Sequence, residues 1–182
     1  MSEPASALGH AAFEGFAIIR EIGPLGMLSL RAAPDLPGLA DGLAVLGLTR
    51  PAPRRIAIAG NRTCGWMSPD EYLIVLPYDE AVAAMATLGQ HLSGTHHLVA
   101  CVSDARAVFR IEGAKAAQVL TKLMPVDFAT LAPGELRRSR AAQVAAAVWV
   151  QEGGFTLVCF RSAASYVMGL LSHSAMPGSE LS

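Results

Sequence analysis

The chain repeats one order of segments at an interval of roughly 80 residues. The segment MLSLRA at residue 27 matches AVFRIE at residue 107, and EYLIVLP at residue 71 matches FTLVCFR at residue 155. Internal duplication explains such a match, because each copy predicts the same run of strands and helices. We therefore predict an α+β fold of two duplicated ββαββα halves, over about residues 16–93 and 96–172, packed into one body. Residues 1–15 and 173–182 are predicted to be flexible tails.

Apolar periodicity assigns the strands and helices within each half. Runs rich in β-branched residues predict strands over 16–22, 27–32, 54–60, 71–77, 97–105, 106–113, 140–150 and 155–161. Spacings of three and four predict four amphipathic helices. Their inner faces carry Leu36, Leu39, Leu43 and Leu46 in the first, and Val82, Met85, Ala86, Gly89 and Leu92 in the second. The third has Ala116, Val119, Leu120, Leu123 and Met124, and the last, which begins after Ser162, has Tyr166, Val167, Leu170 and Leu171.

Composition limits the classes of partner. Charged residues make up 16% of the chain and apolar residues 52%, which fits either a surface covered by another protein or an alanine-rich composition. The net charge is −1 and no basic stripe is present, so a nucleic-acid partner is not expected. No apolar run has the length of a membrane span, and the first residues lack the features of a signal peptide. We expect a cytoplasmic protein with no membrane partner.

The familiar catalytic motifs are missing from the sequence. It has no G-x-S-x-G, G-x-G-x-x-G, P-loop or H-E-x-x-H. The adjacent His96 and His97 would point to opposite faces of a strand, which disfavours a shared metal. The three cysteines form no C-x-x-C pair, and the apolar runs around Cys101 and Cys159 predict that both lie in a core. We therefore predict no catalytic, cofactor-binding or metal-binding residue.

The remaining candidates have simpler structural explanations. The acids are Asp70, Glu71, Asp104 and Asp127, whose positions at strand ends and in loops favour turn and capping roles over acid–base chemistry. Trp66 and Trp149 are interpreted as large core side chains, with an anchor at a partner surface as the alternative.

Several short motifs, in a fixed order, resemble the gamma subunit family of heterotetrameric sarcosine oxidases. They comprise a Trp followed by a Pro-Asp-Glu-aromatic-Leu strand opening, an arginine before a strand that closes on Gly, a Pro-x-Asp loop and a late Arg-Ser. The matching positions are Trp66, Pro69, Asp70, Glu71, Tyr72, Leu73, Arg106, Gly113, Pro125, Asp127 and Arg161–Ser162. The resemblance covers about residues 16–172. Tyr72 replaces a Trp and Ala163 replaces a Phe of the family pattern.

The resemblance implies a non-catalytic subunit of an oxidoreductase that converts sarcosine to glycine with hydrogen peroxide. The one-carbon unit would leave as formaldehyde or on tetrahydrofolate. The alpha subunit would be the main contact, with beta and delta subunits also present, and FAD, FMN, NAD, tetrahydrofolate and zinc would lie in those other subunits. A more distant resemblance links the duplicated plan to the folate-binding domain of aminomethyltransferases. It leaves an alternative open, a stand-alone folate-binding or one-carbon transfer protein in which Asp70 or Asp127 contacts the pterin.

Overall fold

The computed structural model describes residues 4–181, and these form two compact units. The continuous unit comprises Leu25–Ser103. The discontinuous unit combines the chain up to Pro24 with the chain from Asp104 onward. In order, the elements are β1 (Ala12–Glu14), β2 (Ile18–Glu21), β3 (Gly26–Arg31), α1 (Leu39–Val45), β4 (Ile56–Ala59), β5 (Arg62–Ser68), β6 (Glu71–Leu76), α2 (Ala81–His91), β7 (Leu98–Cys101), β8 (Arg106–Glu112), α3 (Ala116–Thr121), β9 (Leu136–Ala141), β10 (Val144–Gln151), β11 (Gly154–Phe160) and α4 (Ala164–Ser174).

The continuous unit is a five-stranded antiparallel sheet with helices against one face. The strand order is β4-β5-β6-β3-β7. Alternation along β3 and β6 directs Leu28, Leu30, Tyr72 and Ile74 into one core. The helices complete that core with Leu39, Leu43, Leu88 and other buried side chains. Helix α1 begins at Leu39, later than Pro34, because Gly38 has φ +82° and breaks the helical backbone before it.

The discontinuous unit is a six-stranded antiparallel sheet of order β1-β2-β8-β11-β10-β9. Phe109 and Leu157 lie opposite each other at its centre and are fully buried. Helices α3 and α4 cover this face with Val119, Leu120, Val167 and Leu171. Phe128, from the loop before β9, packs edge-on against Phe155 with ring centroids 5.4 Å apart. Gly153, with φ +79°, closes the predicted hairpin between β10 and β11.

The two sequence halves exchange their first strands. Strand β2 belongs to the first half by sequence, yet it pairs with β8, the central strand of the second. Strand β7 opens the second half and pairs with β3 of the first. The predicted pseudo-repeat halves, about residues 16–93 and 96–172, therefore do not coincide with the two compact units, because each unit takes one strand from the other half. The sequence pattern could not show this, since pairing partners are not encoded in apolar periodicity.

The chain ends that were expected to be flexible contain ordered contacts. The buried carboxylate of Glu21 accepts hydrogen bonds from the backbone N–H groups of Ala7 and His10, each at 3.0 Å. Arg161 donates to the carbonyls of Ala5 and Ser6, each at 2.9 Å. Strand β1 also lies within the predicted tail. The predicted tails reach residues 1–3 and 182, which lie outside the described residues.

The C-terminal part of the described chain lies along α3. Lys115 forms an ion pair with Glu180 at 3.4 Å, and Gln118 accepts a hydrogen bond from the backbone of Leu181 at 3.0 Å. Lys122 donates to the carbonyl of Ser174 at 2.8 Å. Gln118 of α3 and the two lysines that flank this helix thus contact the last part of the described chain.

Two strands and two helix faces differ from the predictions. The predicted strand over 140–150 corresponds mainly to β10 and overlaps only the last two residues of β9. The rest of the arginine-rich β9 was missed because strand predictions favour apolar runs. Strand β5 was missed for the same reason. On α2 the buried side chains are Ala81, Ala84 and Leu88, one residue away from the predicted stripe, and Val82 is 68% exposed. On α4, Tyr166 is exposed whereas Val167 and Leu171 are buried as predicted.

Within residues 4–181 no helix has the length and apolar character that crossing a bilayer requires. The longest helices, α2 and α4, have 11 residues each.

Candidate functional site

An open cleft of about 460 Å³ lies on the continuous unit, where β3 ends and β7 begins. Its volume falls within the usual range for small-molecule sites. The lining residues are Arg31, Ala32, Ala33, Leu36, Asp70, His96, His97 and Leu98. Four of them are apolar, so polar contacts come only from Arg31, Asp70 and the two histidines.

Strand pairing brings the charged groups of the cleft together. Arg31 is the last residue of β3 and lies opposite Glu71, the first residue of β6. Its guanidinium contacts the carboxylates of Asp70 at 3.4 Å and Glu71 at 3.3 Å. The second oxygen of Asp70 accepts a hydrogen bond from Ser68 at 3.0 Å. Both carboxylates are therefore engaged with groups of their own unit, and the Arg31–Asp70 pair is largely exposed, which limits its strength.

His96 and His97 both line the cleft. They precede β7, which begins at Leu98, so the alternation expected for a strand does not separate them. The Nδ1 atom of His97 lies 3.1 Å from the carbonyl oxygen of Thr95. Because a carbonyl oxygen can only accept, Nδ1 is the donor in this contact. Among residues 4–181, no group of three His, Cys, Asp or Glu side chains has the geometry to hold a metal ion.

The cleft combines charged side chains and imidazoles with an apolar wall. Its lining residues include no serine, threonine or cysteine that could serve as a nucleophile beside a histidine. The guanidinium of Arg31 is already paired with two carboxylates, and the alanines and leucines offer an apolar wall. Asp70 is the only acid of the sequence candidates that lines it, as Glu71 contributes only through its ion pair with Arg31.

A second polar cluster crosses the sheet of the discontinuous unit on the face opposite its helices. Arg110, only 9% exposed, donates to the hydroxyl of Thr156 at 3.1 Å and to the carbonyl of Glu152 at 2.7 Å. It also forms an ion pair with Glu112 at 3.3 Å, and Glu112 accepts from Arg20 as well. Thr156 donates to Gln151 at 2.7 Å. Each of these hydrogen bonds therefore joins two residues of the cluster.

The charges around Glu112 determine its protonation. Burial raises the pKa of Glu112, but the hydrogen bond and charge of Arg20, followed by the charge of Arg110, outweigh burial. The pKa of this carboxyl therefore lies below its usual value. Sequence reasoning missed both arginines, because a single arginine inside an apolar strand gives no motif. The one available signal was the position of Arg110 between the apolar residues of the run AVFRI.

The other sequence candidates are not among the residues that line the cleft. Asp127 closes a turn by accepting from the backbone of Ala129 at 3.0 Å, and Asp104 is exposed in a short turn before β8. Trp66 is half-buried, while Trp149 is 3% exposed and its indole N–H has no hydrogen-bond partner.

Two of the three cysteines are buried. Burial raises the pKa of Cys64 to about 12 and that of Cys159 to about 11. Cys101 was predicted to lie in a core and is exposed, because it ends the edge strand β7.

The architecture defines a class of duplicated α+β proteins. It matches a chain of the heterotetrameric sarcosine oxidase from Corynebacterium sp. U-96, solved in complex with pyrrole 2-carboxylate. That match has a TM-score of 0.81 and 24% identity, and it covers 90% of this chain and 87% of the other. Aminomethyltransferase T of the glycine cleavage system from Bartonella henselae matches with a TM-score of 0.63 and 16% identity, over 83% of this chain and 44% of the other. Both likenesses show a common fold.

Sequence similarity then gives the family. The model of the sarcosine oxidase gamma subunit family matches residues 32–176. Sarcosine oxidase subunit gamma from Arthrobacter sp. is 31% identical over 125 residues, which span 68% of this chain and 61% of that relative. The chain therefore belongs to the sarcosine oxidase gamma subunit family.

Proposed function

We propose that this chain is the non-catalytic gamma subunit of a heterotetrameric sarcosine oxidase. Membership of the gamma subunit family is the observation that carries the proposal. The holoenzyme would convert sarcosine to glycine and hydrogen peroxide, and release the one-carbon unit as formaldehyde or transfer it to tetrahydrofolate. This chain would support the assembly of that enzyme.

The proposal includes a division of labour between chains. The alpha subunit is the proposed main contact, with beta and delta subunits in the same complex. FAD, FMN, NAD, tetrahydrofolate and zinc would be bound by those subunits. The cleft of this chain supports the division, because the carboxylates of Asp70 and Glu71 are already paired with Arg31. The proposed location is the cytoplasm, as the sequence predicts.

Co-expression with candidate alpha, beta and delta chains tests the proposal. Size-exclusion chromatography with light scattering should show this chain in one large complex. Sarcosine-dependent hydrogen peroxide production should be found in the complex and not in the isolated chain. Elution as a free 19.0 kDa protein beside an intact complex of the others would refute the assembly role. Peroxide formation by the isolated chain would refute the non-catalytic role.

The folate-binding alternative has one observation in its favour, since Asp70 lines a cleft of suitable size. The pairing of both Asp70 oxygens weakens it, because a pterin would have to displace Ser68 or Arg31. Calorimetric titration of the isolated chain with tetrahydrofolate separates the two functions. Saturable heat that disappears in Asp70→Asn would support folate binding, and the absence of heat would reject it.

A further inference from the structure

The sheets of the two units differ by one strand at corresponding edges. The discontinuous sheet runs β1-β2-β8-β11-β10-β9 and the continuous sheet runs β7-β3-β6-β5-β4, so β7 corresponds to β2. Backbone bonds agree with this correspondence. Ile22, which follows β2, donates its N–H to the carbonyl of Val108 at 2.9 Å, and Val102, which follows β7, donates to Met27 at 2.8 Å. Within residues 4–181, no strand takes the position beyond β7 that β1 takes beyond β2.

The open edge of β7 presents backbone hydrogen-bonding groups at two positions. In an antiparallel pair, alternate residues direct their N–H and C=O groups to the partner strand. The hydrogen bond that follows β7 sets this alternation, so Ala100 faces β3 whereas Val99 and Cys101 direct their backbone groups to the open side. In the discontinuous unit, Glu21 corresponds to Cys101 and donates its N–H to the carbonyl of Ala11, just before β1, at 2.9 Å.

Side-chain burial at the two edges differs accordingly. Ile19 and Glu21, whose backbone groups face β1 and the residue before it, are 0% and 3% exposed. The corresponding Val99 is only half-buried, and Cys101 is exposed. Phe13 of β1 lies opposite Ile19 and packs against the core of its unit. An apolar side chain opposite Val99 would complete the continuous core in the same way, since Val99 already packs against that core.

The edge of β7 lacks the features that commonly prevent strand addition. Its sequence, LVAC, contains no charge and no proline, and its register with β3 is regular. Leu98, at its start, is 55% exposed. At the other end of the same sheet, β4 corresponds to β9, and both are terminal strands. The bond from Trp66 to the carbonyl of Arg55 sets the alternation along β4, so Ile58 directs its backbone groups outward and provides a reference position.

We propose that β7 receives an extended segment of a larger partner subunit as a sixth strand, in the position that β1 fills in the discontinuous unit. The inference rests on the proposed function. Main-chain hydrogen bonds to Val99 and Cys101 hold the segment, and an apolar side chain opposite Val99 takes the place of Phe13.

The length of the edge argues against a second copy of this chain as the occupant. β7 has four residues, which make an edge of about 14 Å. Pairing along such an edge is far too small for the roughly 800 Å² per partner that a specific interface buries. A segment tethered to a subunit that is already bound does not need this area, because its binding is intramolecular.

Hydrogen exchange tests the added strand on wild-type protein. In the isolated chain, the amides of Val99 and Cys101 should exchange faster than the amide of Ala100, which faces β3. Assembly with the other subunits should slow exchange at Val99 and Cys101 at least about tenfold and leave Ile58 unchanged. Mass spectrometry with fragmentation to single residues measures these rates.

A proline on the open side provides the matching variant. Val99→Pro removes one outward donor and spares the hydrogen bonds to β3, since proline is tolerated at edge positions whose N–H faces solvent. Ile58→Pro makes the same change at the other edge and is the control. Val99→Pro should raise the dissociation constant for immobilised complexes of the other subunits at least about tenfold, and Ile58→Pro less than about twofold. Circular dichroism checks that each variant folds, and hydrogen exchange decides alone if either does not.

The outcomes separate this inference from the proposed function. If the chain assembles but Val99 and Cys101 stay unprotected, or if the two proline variants bind equally well, the added strand is overturned and the proposed function stands. Failure of the wild type to bind the other subunits would refute the proposed function, and this inference with it. Protection that rises with the concentration of the isolated chain, together with a dimer in light scattering, would assign the edge to a second copy and overturn the partner segment.

Discussion

The two units share one arrangement of strands, but the side chains in corresponding rows across their sheets differ in chemical character. In the discontinuous unit, the row that crosses the face opposite the helices is Arg20, Arg110, Thr156, Trp149 and Leu136. The corresponding row of the continuous unit is Ala100, Ser29, Leu73, Gly65 and Ile56. One row contains two cations, joined through Glu112, and a buried indole. The other row contains uncharged residues, which are apolar apart from the hydroxyl of Ser29.

The helix-facing rows of the two units, in contrast, are alike. Phe109 opposite Leu157 corresponds to Leu28 opposite Ile74, and all four are fully buried. The comparison indicates that apolar burial against helices maintains the plan in both units. The opposite face is then free to differ, because its side chains do not determine which strands pair. Stability should therefore depend similarly on the two cores and differently on the two opposite rows.

The largest predicted effects come from the shared cores. Phe109→Ala should lower the free energy of unfolding by about 3–5 kcal/mol, and Leu28→Ala by about 2–5 kcal/mol, since each removes a fully buried side chain and leaves a cavity. Urea unfolding followed by circular dichroism measures both. Val82→Ala, at an exposed helix position, is the control and should change the free energy by less than about 0.5 kcal/mol. A loss below about 1 kcal/mol at either core position would break the claimed equivalence.

Substitutions in the rows on the face opposite the helices should change the free energy of unfolding by different amounts in the two units. Arg110→Met keeps most of the side-chain length but leaves Thr156, the Glu152 carbonyl and one contact of Glu112 without their donor, so we expect a loss of about 2–4 kcal/mol. Ser29→Ala, at the corresponding position, should cost less than about 1 kcal/mol, because Ser29 is only half-buried and belongs to an apolar row. Denaturant unfolding of both variants checks this. Equal losses would show that the rows are energetically interchangeable.

The sequence predicted the order of strands and helices better than it predicted which strands pair. Runs such as EYLIVLP correspond closely to β6, since a strand buried on both faces is continuously apolar. The repeat identified the matching segments, but the cross-strand pairs show that Leu28 corresponds to Phe109, one residue away from the match of residue 27 with 107. A shift of one residue moves side chains to the opposite face, so the repeat alone could not have located the Arg110 row.

The strand exchange and the cleft depend on long-range contacts. Nothing in FAIIREI shows that β2 pairs with the strand near residue 109, some ninety residues later. The cleft was missed because His96 and His97 were assigned to a strand, whereas β7 begins one residue after them. The family resemblance, which rests on ordered motifs rather than on contacts, was confirmed by the family model and by the curated relative.

A smaller effect should distinguish the units by pH. The lowered pKa of Glu112 means that its contribution to stability is present above the unfolded value of about 4.3 and is lost as pH falls through the lower folded value. Glu112→Gln should therefore reduce the stability at pH 6 and flatten the loss of stability below about pH 4. Urea unfolding at several pH values measures this. Asp41→Asn, at an exposed acid of the continuous unit, should keep the wild-type slope.

The smallest effect concerns the thiols and tests whether the two cores are equally closed. Burial raises the pKa of Cys64 in the continuous unit and of Cys159 in the discontinuous unit, and both thiols are shielded from solvent, so neither should react with a thiol reagent near pH 8. Only the exposed Cys101 should react in the native chain, and Cys101→Ser should abolish the reaction. Unfolding should release all three thiols. Rapid native labelling of Cys159 but not Cys64 would mean that the discontinuous unit opens more readily, and that the similarity of the two helix-facing cores does not extend to their dynamics.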